Sequence, residues 1–581
     1  MTAPNRNVLW GRTLVAELAA SGVDTIIVAP GSRSTPLAVA AAAHTDITAV
    51  SILDERSAAF FALGRAKRTG DPVPVVTTSG TAAANLHPAV IEANQARVPM
   101  VLLTADRPPE LTDSGANQTI DQEKLYGDAV RWYRTLPEPE ADGRKLRMLR
   151  TTAARAVSTA TGTPPGPVHL NIPFRKPLEP IEVPDDIPNG FDEDHPRAAT
   201  GRAGAYVRST GGRVTLADAN RDDVARLLDE SDRGLLVVGP RAIARDPVGI
   251  LDLASSWEAP LLADPLSGLR FHHRSSALPV CGGYDSFLDP AVTADWPDPD
   301  VVLRVGDAPT SNRLRAYLER TQARQVLVDP AGGWREETYT ATDLVACDPD
   351  WLGDALADRV SPVASAWRER FTEAESRYWD VVDEAGMHEG TFVGAAVAGA
   401  PNPATVYVSN SMPVRDLDRF GRPAATSLTV LGNRGASGID GVTSAALGAG
   451  SGTTDPLILI TGDLAFFHDL TGLLAAERAE VDCTVVLINN DGGGIFHLLP
   501  IEDFDPPFTE YFRTPHGVAF DRVASLYDVG YDRVEDLDAF ATAYADALET
   551  DGTAVVEVRT DAEASHRTRE AIHERVCETL G

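Results

Sequence analysis

Short runs of aliphatic and β-branched residues recur along the chain, each ending in glycine or a small polar residue and followed by an alanine-rich or amphipathic stretch. In the first third they stand at 24–30 (DTIIVAP), 48–53 (TAVSIL), 73–78 (VPVVTT) and 98–104 (VPMVLLT), and the stretch closes near 166–174 (GPVHLNIPF). The runs lack the strict polar–apolar alternation of a strand wetted on one face, which predicts strands buried on both faces. Helical patterns such as PLAVAAAAH and SAAFFALGRAKR lie between them. Such alternation gives a parallel sheet covered on both sides. Residues 176–215 turn rich in Pro, Asp, Glu and Gly, the composition of a linker. A second αβ region has strands at 235–238, 301–305 and 325–328. A polar helical segment around 360–385 leads to a third, with strands at 405–408, 457–461, 484–488 and 554–558. The expected fold class is α/β, with three doubly wound parallel-sheet domains: 1–180, a linker over 181–215, a central domain over 216–360, and a third over 361–581.

A length of 581 residues suits that number of domains. The 84 acidic against 52 basic residues leave a formal charge of −32. Such a surface repels nucleic acid and anionic membrane, so neither is an expected partner. Only four basic residues are lysine (Lys67, Lys124, Lys145, Lys176). Excess carboxylate with so little lysine suits a chain hydrated in concentrated salt, where its self-repulsion is screened; a merely acidic surface is the alternative. The four cysteines have no metal-finger spacing and read as reduced thiols. With no leader-like N-terminus and no long apolar run, a cytoplasmic location is expected.

The sharpest chemical signal lies in the third region. Strand LILIT runs into Gly462-Asp463, and 27 positions on, after strand TVVLI, comes Asn490 followed by Asp491-Gly492-Gly493-Gly494. Ligands bind at the C-terminal ends of parallel strands. The Asp463 carboxylate, the Asn490 side-chain carbonyl and the Gly492 backbone carbonyl make a hard-oxygen half-shell suited to Mg²⁺ carrying a diphosphate. The helix opening at Leu464-Ala465 offers N–H groups to the same phosphates. This pattern resembles the thiamine diphosphate motif, G-D-G followed by N-N, with Leu464 in place of the third glycine. The resemblance implies thiamine diphosphate with Mg²⁺ or Mn²⁺. It also implies a carboxylate from another αβ domain, in a neighbouring subunit, hydrogen-bonded to the cofactor's aminopyrimidine. Glu55, in Asp54-Glu55-Arg56 after strand AVSIL, is placed for that role; Asp54 is the alternative, and an acid favoured by a helix dipole is the bland one.

Further motifs narrow the resemblance: PGSRSTPL (30–37), LDER (53–56), TSGTAAANLH (78–87), LTADRPPEL (103–111), GANQTI (115–120), SNSMPVR (409–415), NRGASGIDG (433–441) and NNDGGGIFHLL (489–499). Together they are similar to the 2-succinyl-5-enolpyruvyl-6-hydroxy-3-cyclohexene-1-carboxylate (SEPHCHC) synthase family of menaquinone biosynthesis. The family implies decarboxylation of 2-oxoglutarate and conjugate addition of the resulting carbanion to isochorismate, in a homo-oligomer with active sites at subunit interfaces. Another thiamine diphosphate carboligase, of the acetolactate synthase kind, is the alternative.

Both substrates carry two carboxylates, which arginine forks pair bidentately. Arg33, Arg107, Arg415 and Arg434 follow strand ends inside these motifs, with Ser32 and Ser411 as neutral donors beside them. Surface ion pairs are the alternative use of each. The family implies substrate contacts for Asn117 and Gln118, with Gln118 near the reacting atoms, and a place for Ile439 under the bent cofactor. Gly462, Leu464 and Ala465 would border the diphosphate. In the central region Arg313 is a substrate candidate beside Asn312, where relatives can carry a second basic residue. His87, His468 and His497 are read as structural. Diluting the protein from molar salt into low salt is expected to unfold it reversibly, followed by far-ultraviolet circular dichroism; a spectrum indifferent to salt would remove the high-salt reading.

Overall fold

The computed structural model describes residues 3–581. The apolar runs form three six-stranded sheets in which every strand pairing is parallel. The first contains β1 (Thr25–Val28), β2 (Thr48–Ser51), β3 (Val73–Thr77), β4 (Met100–Asp106), β5 (Trp132–Thr135) and β6 (Pro167–Pro173). The second contains β7 (Gly234–Val238), β8 (Leu261–Ala263), β9 (Val280–Cys281), β10 (Val301–Val305), β11 (Arg324–Val328) and β12 (Asp343–Val345). The third contains β13 (Ala404–Val408), β14 (Leu428–Leu431), β15 (Leu457–Gly462), β16 (Cys483–Asn489), β17 (Gly530–Val534) and β18 (Thr553–Arg559).

The strand orders are β2-β1-β3-β4-β6-β5, β12-β11-β10-β7-β8-β9 and β14-β13-β15-β16-β18-β17. Counted from its own first strand, the third sheet repeats the order of the first. The second, read from β9, runs 3-2-1-4-5-6, the order of doubly wound dinucleotide-binding folds. Inner strands such as β3, β6, β10 and β16 are buried along their whole length. Each aliphatic side chain so buried is worth roughly 1.5–3 kcal/mol of transfer free energy. Among the described residues no helix is long and apolar enough to cross a membrane.

The chain divides into two compact units. One comprises residues up to Gly211 with Asn433–Thr454 and Asp469–Val481; the other comprises Gly212–Gly432, Asp455–His468 and Asp482–Gly581. In the first, the segment after β6 has little regular structure but is pinned. Arg150 donates from Nε to the Ala198 carbonyl (3.0 Å) and from Nη2 to that of Ala199 (2.7 Å), while Glu17 accepts the Tyr206 N–H (2.5 Å). In the second, Arg270 is fully buried, yet its guanidinium bonds the Ala263 and Asp418 carbonyls, the Tyr284 hydroxyl and the Asp418 carboxylate. A buried charge this completely partnered avoids the cost of an unpaired one.

Helices Glu55–Thr69 and Val442–Gly450 touch backbone to backbone within the first unit. A Cβ at Gly64 would lie 1.8 Å from the Ala445 carbonyl oxygen, and one at Gly448 would lie 1.9 Å from that of Phe61. Only glycine fits this approach. Gly448→Ala is therefore expected to part the helices and cost about 1–3 kcal/mol, the usual range for overpacking, seen as a lower denaturant midpoint; an unchanged midpoint would mean the contact is not tight.

Candidate active site

The candidate residues form two sets, each at the C-terminal edge of its own sheet. In the first unit Glu55 follows β2, Ser32 and Arg33 follow β1, Ser79 and Gly80 follow β3, and Arg107 follows β4. The order of the strands therefore lines these residues up along one rim. Asp54 and Glu55 part company there. Asp54 is the N-cap of helix Glu55–Thr69, its side chain accepting the Ser57 N–H (3.1 Å), and it also accepts from the Thr471 hydroxyl (3.3 Å). Aspartate is among the best residues at that position. Glu55 is half-buried in the first turn, and no group among the described residues bonds its carboxylate. The acid left free for chemistry is Glu55.

Gln118 lies across the end of β3: its backbone carbonyl accepts the Ser79 hydroxyl (2.9 Å) and its side-chain Nε2 donates to the Ser79 carbonyl (3.2 Å). It is exposed and takes a left-handed φ of +55°. The turn it crosses is braced from below by buried Gln122, which accepts the Gly80 N–H (2.9 Å) and donates to Asn171 (2.9 Å). Asn117 and Ser32 are exposed beside these loops. Arg33 is buried and donates to the Phe174 carbonyl (2.6 Å); burial, and then the neighbouring Arg107 charge, lower its affinity for its proton. Arg107 is less committed: its backbone N–H bonds Asp106, but its guanidinium Nε is buried without a partner. Of the two, Arg107 has the free fork.

The glycine-rich loop carrying Arg434 and Ile439, both half-buried, is held by one carboxylate. Glu92 accepts the Gly435 N–H (2.9 Å) and the Ala436 N–H (2.6 Å) and pairs with buried Lys67 (3.1 Å). Burial pushes the Glu92 carboxyl up, but Lys67 and the two N–H groups outweigh it and hold it below the usual carboxylate range. A cleft of about 200 Å³ beside the loop is lined by Phe60, Ile91, Glu92, Ala436 and Asp440 among others.

In the second unit β15 and β16 are neighbours, with Gly462 opposite Ile488. That register brings Asp463 alongside Asn489 and Asn490. Asp463 is buried; its Oδ1 accepts the Leu464 N–H (2.7 Å) and its Oδ2 accepts the Gly492 N–H (2.9 Å), with His516 Nε2 3.2 Å away. Burial raises the Asp463 carboxyl, against the opposing pull of those N–H groups and His516. Asn490 Oδ1 is buried with no hydrogen-bond partner. A buried carbonyl oxygen without a donor calls for a ligand. With a buried carboxylate and the Gly492 backbone beside it, the donor set fits a hard divalent cation. Gly462 closes β15, and Leu464 and Ala465 lie in the short helix Asp463–His468.

Ser411, at φ +71°, precedes helix Met412–Phe420, and its carbonyl accepts Arg415 Nη1 (2.7 Å). Ser411, Asp491, Gln118 and Ser437 all hold left-handed φ values without being glycine. Such strain concentrates at functional loops. Arg313 is not brought to a strand rim: it faces Asp285 (3.8 Å) and Asp289 (3.5 Å) in the central domain. Asp289, His573 and Cys577 have potential ligand atoms within 4.8 Å of one another. The Arg313 guanidinium already supplies positive charge to that Asp289 oxygen, so the trio is an ion-pair junction. Sequence reasoning missed His516, which lies against Asp463. Its place is set by tertiary packing, and no local motif marks it.

A model described as "Thiamine pyrophosphate enzyme, N-terminal TPP binding domain" matches residues 10–125, and its C-terminal counterpart matches 419–558. Over their full lengths the chain is 57% identical to a SEPHCHC synthase of Haloarcula marismortui, with 100% of both chains covered. It is 46% identical to one of Roseiflexus sp., with 98% of each covered. Among solved structures, a thiamine diphosphate-dependent 4-hydroxybenzoylformate decarboxylase of Rhodococcus jostii superposes with a TM-score of 0.71 at 18% identity, covering 95% of this chain and 99% of that one. At that identity the likeness speaks for the fold alone.

Gly492 has φ +143°, and a Cβ there would lie 2.0 Å from the Arg513 carbonyl oxygen. Gly492→Ala should displace the loop that bonds Asp463 and weaken Mn²⁺ binding at least about tenfold, as outer-shell disruptions do, in a titration followed by electron paramagnetic resonance. Wild-type affinity would contradict this placement.

Proposed function

The chain belongs to the family of SEPHCHC synthases, thiamine diphosphate-dependent enzymes, and on that premise we propose that it decarboxylates 2-oxoglutarate and adds the resulting carbon unit in conjugate fashion to isochorismate, forming SEPHCHC in menaquinone biosynthesis. Identity of 57% to a named synthase over the whole chain carries this reading. Thiamine diphosphate, when bound, supplies the electron sink for decarboxylation and the carbon nucleophile for the addition.

The chain's own residues divide the remaining work. Asp463, Asn490 and the Gly492 carbonyl would hold Mg²⁺ or Mn²⁺ for the diphosphate; the unpartnered Asn490 oxygen supports this. Gly462, Leu464 and Ala465 would border the phosphates, and Ile439 would support the cofactor rings. Glu55, the free acid on its rim, accepts a hydrogen bond from the aminopyrimidine and fixes its protonation. Arg107, Arg33, Arg415 and Arg434, with Ser32, Ser411 and Asn117, orient the substrate carboxylates; orientation of this kind accounts for much of a bimolecular barrier. Gln118 stands near the reacting atoms, and Arg313, although it faces Asp285 and Asp289, is the outlying substrate candidate. Glu55 of one protomer serves the cofactor held by Asp463 of another, so the working unit is at least a dimer, acting in the cytoplasm.

Glu55→Gln should bind thiamine diphosphate within a few-fold of wild type, by fluorescence quenching, yet lose about 10²–10⁴ in turnover, the usual contribution of a positioned acid or base. Full activity in this variant would remove the assignment. In the same assay 2-oxoglutarate should be the productive donor; equal turnover with pyruvate would point to a carboligase of the acetolactate synthase kind.

A further inference from the structure

Asn490 can serve a cation only if its carbonyl oxygen, not its amide nitrogen, faces the loop. The two ends of the amide differ little in shape, so something must choose between them. Its Nδ2 donates to Glu389 Oε1 at 2.8 Å, while Oδ1 is left buried without a partner. Glu389 opens helix Glu389–Ala398, and its relative exposure is 1%. The far oxygen of its carboxylate accepts Arg569 Nη2 (2.5 Å), and the Thr560 hydroxyl donates to the near one (3.2 Å). Arg569, on the C-terminal helix Ala562–Leu580, is 4% exposed and is forked onto Asp416 through Nε (2.7 Å) and Nη2 (2.6 Å). Asp416 adjoins Arg415 on helix Met412–Phe420.

We propose that Glu389, held by Arg569 and Asp416, is a positioning residue that fixes the amide of Asn490 with its oxygen toward the cation. The physical ground is donor–acceptor logic. An ionised carboxylate only accepts hydrogen bonds, so it draws the NH₂ end of the amide to itself and turns the oxygen away. The Arg569 guanidinium occupies the far oxygen of that carboxylate, and pairing within the network avoids the cost of an isolated buried charge. Outer-shell partners commonly set ligand orientation in this way. The proposal rests on the reading of Asp463, Asn490 and Gly492 as the divalent-cation site. It adds that the C-terminal helix and the helix bearing Arg415 belong functionally to that site.

The test is Mn²⁺ titration by electron paramagnetic resonance on the full chain with saturating thiamine diphosphate, alongside circular dichroism. Glu389→Gln can offer its own NH₂ to residue 490, which reverses the amide, so Mn²⁺ should bind about 10–100-fold more weakly. Adding Asn490→Asp to Glu389→Gln restores complementarity. The Gln amide then donates to a carboxylate whose second oxygen faces the cation, and affinity should return to within a few-fold of wild type. A merely structural role for Glu389 gives no such pair-specific rescue. Wild-type affinity in Glu389→Gln, or a double variant that binds no better than the single one for whatever reason, overturns the proposal. Asp463→Asn separates the two levels. If that variant binds Mn²⁺ as wild type does, the cation site itself is misread; if it loses binding while Glu389→Gln does not, only the positioning role fails.

Discussion

The register between β15 and β16 decides whether the candidate cation site can exist. Setting Gly462 against Ile488 leaves Asp463 and Asn490 as the first residues beyond two adjacent buried strands. A slip of one residue would turn every side chain of a strand to the opposite face, taking the carboxylate and the amide apart. The strands are buried on both faces, so the register is held by packing on two sides. The chain beyond them is then free to be irregular. Gly492 at φ +143° and Asp491 at φ +61° are conformations a regular strand does not permit.

The same economy operates twice. The first and third sheets share one strand order, and in each the candidate side chains sit just past the strand ends. What differs is the chemistry placed there. The first rim offers a free glutamate and arginine forks; the third offers hard oxygen donors around a buried aspartate. Glu92 and Glu389 are built alike, each a buried carboxylate that accepts from loop N–H groups or from the Asn490 amide and is itself paired with a buried cation, Lys67 or Arg569. Lys67, one of only four lysines, is spent in the interior.

The inner strands were legible because burial on both faces leaves uninterrupted apolar runs. The strands that escaped were β5, β8, β9, β12, β14 and β17. All but β8 lie at sheet edges; β17 (GYDRV) is largely exposed and β8 and β9 are only three and two residues long. Such segments carry too little hydrophobic pattern to be read. At the site, residues inside glycine-rich turns were legible because those turns need particular residue types. The sequence favours Glu55 over Asp54, and an aspartate before a helical pattern is itself an N-cap signal. Glu389 and Arg569 were not legible. Each is joined to Asn490 directly or through the other from 101 and 79 positions away by hydrogen bonds, and only the folded packing brings them together.

In the proposed dimer, Glu55 of one protomer and Asp463 of another serve a single cofactor. Mixing inactive Glu55→Gln and Asp463→Asn proteins under conditions that exchange subunits tests it most directly. A mixed dimer then has one site bearing both changes and one bearing neither, so an equimolar mixture should recover about a quarter of wild-type activity by the counting that two-fold symmetry imposes. No recovery, with exchange itself demonstrated, would mean that the two acids belong to the same chain's site or to none, and would contradict the account.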